Sequence, residues 1–276
     1  MLAAMRSLGA GLMIALLIGA GGCADPLRYA AGAHYESPKP IESPTPTGGL
    51  ISAHATHYGQ PGGADDVLVL VFASEVDPLG LVAEAFGVVR ADGQRVQPTQ
   101  ARLGPADEGD ENRSVLLVGD FGELAAEPIA AHVLGRVFGE SGESFEGFDV
   151  AISPLASADR LLVLERLGPL EGRCLGAQQV LRTYWSDALA GVGADDLATI
   201  ELMLADGTRR SPIDFDDQAT RSEDPSETEL GPADDNVLDL CIDVTVPVVR
   251  LRIPAGQFTD LQGHPTAAAE VGLAAT

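Results

Sequence analysis

Apolar and polar residues alternate with a period of two over several short stretches, and long stretches with helical periodicity are missing. In "DVLVLVFASEVDP" (66–78) both faces of the opening run are apolar, which is typical of a strand inside a β-sandwich. "AFGVVRADGQRVQP" (85–98) is predicted to form two strands joined at Asp92-Gly93, because Asp-Gly supplies the positive φ angles that a tight hairpin requires. Further strands are predicted within 111–121 and 128–138.

The second part of the chain repeats this order. "ADGQRVQP" (91–98) returns as "ADGTRRSP" (205–212), with Ala, Asp, Gly, Arg and Pro at the same relative places. The remaining predicted strands lie within 156–172, 179–189, 198–212, 235–244 and 248–265. Short strands joined by hairpins, without interleaved helices, predict an all-β fold of two tandem β-sandwiches at 64–155 and 156–276.

The N-terminus has the pattern of an export signal. Arg6 precedes an apolar run from Leu8 to Ile18, which is shorter than the ~20 residues of a membrane span, so 1–22 is predicted to be a signal peptide. The small residues before Cys23 resemble the lipobox of bacterial lipoproteins, although Ala20 stands where that family usually has Leu. The resemblance implies that Cys23 carries the lipid. The alternative is ordinary signal cleavage, which leaves a soluble periplasmic protein.

Residues 23–63 differ in composition from the rest of the chain. "ESPKPIESPTPTGG" (36–49) is rich in Pro, Ser and Thr and cannot bury a core, which predicts a disordered tether that lifts the folded part off the membrane. The whole chain has 41 acidic and 17 basic residues, a formal charge of −24. This charge is repelled by phosphate backbones, so nucleic acid is excluded as a partner.

Cys174 and Cys241 both lie in the second predicted sandwich. An exported protein meets an oxidising compartment, so we expect a disulfide between them; the alternative is two unpaired thiols.

The histidines do not predict a catalytic or metal site. His54 and His57 have an H-x-x-H spacing, but no third ligand and no helix to aim both rings are evident. His132 is expected to be a half-exposed strand residue and His264 a turn residue. We therefore expect no enzyme activity, no catalytic residues, no metal and no cofactor.

Two features leave binding functions open. Trp185 and Tyr184 are adjacent on a strand, so one is expected in the core and the other outward. An outward aromatic residue would stack on a sugar; the alternative, which the matching Phe72-Ala73 of the first unit favours, is a core position. Two acidic loops, at 105–113 and 214–236, would supply calcium ligands but lack the order of an EF-hand loop. The alternative is that these loops are solvated surface. The candidate ligands are Asp107, Glu108, Asp110 and Glu111 in the first loop and, at the two ends of the second, Asp214, Asp216, Asp217, Asp234 and Asp235.

Both predicted sandwiches resemble the bacterial immunoglobulin-like domains of S-layer and surface proteins. The opening "VFASEVDP" (71–78) follows the family pattern with Ala73 inserted, and the ending "PAGQFTDLQGHP" (254–265) follows it with His264 in place of the usual Asn. The end of the first unit and the opening of the second fit poorly. The resemblance implies the immunoglobulin-like sandwich, a fold that hosts many roles.

These observations predict a lipid-anchored protein of the cell envelope, at the outer membrane, with a structural or adhesive, non-enzymatic role. Its expected partners are the membrane, through the N-terminal lipid, and an envelope protein or glycan. The alternatives are a glycan- or calcium-dependent binding module and an envelope hydrolase.

Overall fold

Strands make up nearly all the regular structure among the residues that a computed structural model of this chain describes. The structure describes residues 48–57, 66–106, 111–123, 125–170, 174–216 and 235–274. They belong to one compact unit, His34–Thr276. The only helical elements in these ranges are two short 3₁₀ turns, Ala83–Ala85 and Asp196–Thr199.

The first sandwich consists of two four-stranded layers, ordered β5-β6-β2-β1 and β4-β3-β7-β8. Its strands are β1 (Leu50–His57), β2 (Asp66–Phe72), β3 (Phe86–Arg90), β4 (Arg95–Val96), β5 (Gln100–Leu103), β6 (Ser114–Gly119), β7 (Pro128–Val133) and β8 (Asp149–Ser153). A parallel pairing of β1 with β8 joins the layers, whereas the other neighbours are antiparallel. Fully buried phenylalanines fill the space between the layers: Phe72, Phe86, Phe121 and Phe145.

The second sandwich has the same strand order, β14-β15-β10-β9 over β13-β12-β16-β18, with β11 and β17 forming a small additional pair. Its strands are β9 (Leu161–Leu167), β10 (Gln179–Trp185), β11 (Leu189–Ala190), β12 (Glu201–Leu204), β13 (Arg209–Arg210), β14 (Asp214–Asp216), β15 (Val237–Ile242), β16 (Val248–Ile253), β17 (Thr259–Asp260) and β18 (Ala269–Gly272). Trp185 packs edge-on against Phe258 in its core, with ring centroids 5.7 Å apart. Each half therefore has the layer arrangement of an immunoglobulin-like sandwich.

The repeated Ala-Asp-Gly stretches form the same turn in both halves. Gly93 and Gly207 donate their N–H groups to the carbonyls of Arg90 and Leu204, each at 2.9 Å. Positive φ is confined to the glycine, at +84° and +85°. The Asp before it accepts a hydrogen bond from the N–H of the residue after the glycine, Gln94 in the first turn and Thr208 in the second. Only glycine takes this backbone conformation without strain, so the repeated residues encode one hairpin twice.

The prediction that residues 50–63 belong to the tether is wrong for the part that the structure describes, because Leu50–His57 form β1. Ala53 and Ala55 pack into the first core, whereas His54 and Thr56 point to the opposite face. The core side chains of β1 are mainly small, so the strand lacks the continuous run of large apolar residues that marks β2. The predicted start of the first sandwich at residue 64 is accordingly too late.

Candidate functional site

The two sandwiches meet along a buried contact, which we call the seam. On one side lie β1 and residues 111–114 of the first sandwich, and on the other the outer face of the β14-β15-β10-β9 layer. The Arg113 guanidinium lies 5.1 Å from the centre of the Tyr184 ring and pairs with Glu165. Arg182 binds Asp239 through two 2.8 Å hydrogen bonds and reaches Glu111 across the seam at 3.1 Å.

At one end of the seam, three buried side chains converge on one point. His54 comes from β1, Asp159 precedes β9 and Asp187 follows β10. Each is 1% exposed, and one ligand atom from each lies within 4.8 Å of the others. The pairing of Leu161 with Trp185 places the start of β9 beside the end of β10, which brings the two aspartates together.

Neighbouring hydroxyls hold both aspartates. The Ser186 Oγ donates to Asp159 Oδ1 at 3.0 Å, and the Thr56 Oγ1 donates to Asp187 Oδ1 at 2.9 Å. The 3.7 Å between His54 Nδ1 and Asp159 Oδ1 is too long for a hydrogen bond. Within the described ranges, His54 Nε2 and Asp159 Oδ2 have no hydrogen-bond partner, which is costly for buried polar atoms.

A second histidine–aspartate pair lies beside this cluster. Asp260 Oδ1 accepts the N–H groups of Gln262 and His264 at 2.8 and 2.7 Å, and its Oδ2 lies 2.7 Å from His264 Nδ1. The "TDLQGHP" turn therefore fixes a third buried carboxylate close enough to act on the charges of the cluster.

Burial shifts the pKa of all three side chains away from the values of exposed groups. It raises the pKa of Asp159 to about 7, aided by the charge of Asp187, and the pKa of Asp187 to about 6. It lowers the pKa of His54 to about 4, a fall that the charge of Asp260 partly offsets. The imidazole is therefore neutral near pH 7, when its nitrogen lone pair is available to a ligand.

The chemistry of this cluster is that of a ligand set rather than a nucleophile. The Ser186 hydroxyl donates to Asp159 instead of His54, so serine and histidine are not arranged as nucleophile and base. One imidazole nitrogen and two carboxylate oxygens around a buried point are donors that suit a transition-metal ion.

The structure joins Cys174 to Cys241 in a disulfide, with Cα atoms 5.2 Å apart, which confirms that predicted pair. Cys23 and the predicted signal peptide at 1–22 lie outside the described residues. His132 is half-buried in β7 and His264 lies in a turn, both as expected. The backbone of His57 belongs to β1.

The expectation that Tyr184 or Trp185 points outward is wrong, because both are fully buried. β10 is an inner strand whose one face lies in the second core and whose other face is covered at the seam. Trp185 donates its Nε1 proton to Thr183 Oγ1 at 3.1 Å. No face of either ring is left for a sugar.

Of the acidic residues considered as calcium ligands, Glu111 is buried and paired with Arg182. Asp235 is also buried, and its carboxylate accepts the N–H of Val237 at 2.6 Å. Asp216 accepts the N–H of Cys174 at 3.3 Å, and Asp214 is exposed. The other residues named for calcium, Asp107, Glu108, Asp110, Asp217 and Asp234, lie outside the described residues.

Of the three residues in the cluster, only His54 was named from the sequence, and Asp159 and Asp187 were missed. The available signal is positional: each aspartate lies just outside one of two strands that pair with each other. His54 was considered only in the H-x-x-H pair with His57, and no metal site was predicted there.

No protein-family model matches the chain, and no curated protein gives a significant match. Two solved structures of the S-layer protein SbsC match with a TM-score of 0.29 each, at 7% and 8% identity. Each match covers 78% of this chain, which spans about a third (33%) of the SbsC chains. A TM-score of 0.29 is too low to establish a shared fold or role. None of the described residues forms a helix long and apolar enough to cross a membrane.

Proposed function

We propose that this chain is a lipid-anchored protein of the cell envelope, at the outer membrane, with a structural or adhesive and non-enzymatic role. In this proposal Cys23 carries the lipid, the Pro-rich segment is the tether, and the two sandwiches form one stiff body that contacts an envelope protein or glycan. The observation that carries the structural role is the set of buried ion pairs across the seam.

The seam supports a stiff body because separating the sandwiches would break ion pairs between buried groups. Glu111 is fully buried and its partner Arg182 is 1% exposed. Removing one partner of such a pair leaves a buried charge without compensation, which is strongly destabilising. The pair therefore favours the one arrangement of the two halves in which both partners meet. Two sandwiches that cannot swing relative to each other suit a spacer or scaffold better than a flexible string of domains.

Two further features support an envelope location. The small residues before Cys23 resemble a lipobox, with Ala20 in place of the usual Leu, and the Cys174–Cys241 disulfide suits an oxidising compartment outside the cytoplasm. Several acyl chains give stable anchoring, because each buried CH₂ contributes about 0.8 kcal/mol.

The anchoring is tested by producing the full-length chain and its Cys23→Ser variant in a lipoprotein-competent bacterium fed an alkyne analogue of palmitate. We expect the parent to be labelled and to sediment with membranes, and the variant to be unlabelled and released by osmotic shock. An unlabelled parent in the periplasmic extract would contradict the anchor.

The non-enzymatic role is tested on the purified protein with panels of esterase, protease and glycosidase substrates, beside the Asp159→Asn variant. We expect no turnover by either protein. Turnover by the parent that the variant loses would contradict this part of the proposal and would favour the hydrolase alternative.

A further inference from the structure

We propose that His54, Asp159 and Asp187 bind one divalent transition-metal ion at the seam, with Zn²⁺ the best match. The inference is independent of lipid anchoring and of the role proposed above. It stands on three convergent ligand atoms within 4.8 Å of one another, and on buried polar atoms with no partner among the described residues.

The first step is that the cluster is incomplete as a hydrogen-bond network. In the ranges that the structure describes, His54 Nε2 and Asp159 Oδ2 have no donor or acceptor opposite them, although both side chains are 1% exposed or less. An ordinary buried histidine or aspartate is satisfied by the protein or by ordered water. A cation accepts lone pairs from an imidazole nitrogen and from carboxylate oxygens, so an ion held by Asp159 Oδ2 and one nitrogen of His54 would be a partner for buried atoms that the protein leaves without one.

The cluster also concentrates negative charge in a buried place. Asp159, Asp187 and Asp260 are all at most 2% exposed, and Asp260 is near enough to influence the other two electrostatically. Buried carboxylates are normally compensated by cations or metal ions. The charge of Arg160 acts on His54, and the guanidinium groups of Arg113 and Arg182 form their ion pairs with Glu165, Glu111 and Asp239 instead.

The third step is the choice of ion. Ca²⁺ takes six to eight oxygen ligands, and Mg²⁺ keeps several waters, so neither suits a buried site with an imidazole. Zn²⁺ takes three or four ligands among His nitrogen and Asp oxygen, at about 2.0–2.2 Å, which places ligand atoms roughly 3.4 Å apart. The present spread of up to 4.8 Å requires a modest contraction of the side chains.

The surroundings support two of the ligands. Ser186 holds Asp159 and Thr56 holds Asp187, each through one carboxylate oxygen. Such outer hydrogen bonds orient ligands in metal sites. Because His54 belongs to the first sandwich and Asp187 to the second, the ion would clamp the two halves together and stabilise the folded chain.

The test uses the full chain in detergent, purified without chelator, dialysed against Zn²⁺ and then against metal-free buffer. We expect about one Zn²⁺ per chain by mass spectrometry of the metal, and a melting temperature at least about 4 °C higher with Zn²⁺ than after EDTA. His54→Ala should weaken Zn²⁺ binding at least about tenfold. His132→Ala, the matched change at a strand histidine away from the seam, should leave it unchanged.

Two further measurements keep the test decisive where His54→Ala fails to fold. Co²⁺ added to the parent should give visible absorption bands of a low-coordinate site with nitrogen and oxygen ligands, and Asp187→Asn should lose them while keeping the strand circular dichroism signal. A parent that retains no metal and melts at one temperature with Zn²⁺, Co²⁺, Mn²⁺, Ca²⁺ or EDTA would overturn the proposal. Stabilisation by Ca²⁺ alone would overturn the choice of ion and the imidazole ligand.

Discussion

Adjacent residues on a strand point to opposite faces of its sheet, and at Tyr184 and Trp185 both faces are buried. Trp185 meets Phe258 inside the second sandwich, and Tyr184 lies under the Arg113 guanidinium at the seam. The sequence pattern correctly places this strand in a sheet. It cannot show that the outer face is covered, because that cover comes from residues about seventy positions earlier in the chain.

Arg182 is the residue whose loss we expect to cost most at the seam. It is 1% exposed and lies between Asp239 and Glu111, so Arg182→Met leaves two buried carboxylates without their cation. We expect the free energy of unfolding to fall by about 3–5 kcal/mol, measured by guanidinium denaturation. The control is Arg209→Ala, which removes an exposed pair with Glu201 and should cost less than about 1 kcal/mol. If the two changes lowered the free energy of unfolding equally, burial of the Arg182 ion pairs would not add to stability.

At the scale of the strands, the sequence is most informative where large apolar residues alternate or where Asp-Gly marks a turn. The strands β2, β3, β6, β7, β10, β12, β15 and β16 all fall within predicted stretches. The edge strands β5 and β14 were not predicted, because they are short and largely exposed. β1 was missed for a different reason: its alanines face the core, and its polar residues are buried at the seam rather than in solvent.

β1 leads to a prediction about where the folded part begins. It pairs with β2 and β8, and so joins the two layers of the first sandwich. A chain of residues 64–276 lacks β1 and exposes the edges of both neighbours, so we expect aggregation or loss of cooperative melting. A chain of residues 48–276 keeps β1 and should melt cooperatively by circular dichroism. Equal stability of the two chains would show that β1 is dispensable.

At the scale of the whole molecule, the cluster at the seam lies beyond what one sequence reveals. His54, Asp159 and Asp187 are widely separated along the chain, and each comes from a different element. Their meeting depends on the docking of two sandwiches, and no local pattern encodes that contact. The disulfide was predictable by contrast, because the chain has only three cysteines and its N-terminus has the pattern of an export signal, which leaves few alternatives.

The docking of the sandwiches gives the last prediction. Arg113 pairs with Glu165, and the Asn236 side chain donates to Ser114 Oγ at 2.7 Å and to the Trp185 carbonyl at 3.0 Å. Because these groups are buried only while the halves are docked, each half stabilises the other. We expect residues 48–276 to unfold in a single calorimetric transition, with a van't Hoff enthalpy equal to the calorimetric enthalpy.

Residues 156–276 produced alone should unfold at a lower temperature than the full folded part, because Tyr184 and Arg182 then face water without their cover. The matched comparison is Arg113→Met in the 48–276 chain, which keeps the second half covered but removes one ion pair across the seam. Its melting temperature should fall between the two. Two separate transitions in the 48–276 chain, each matching one half produced alone, would mean that the halves are independent and that the seam does not couple them.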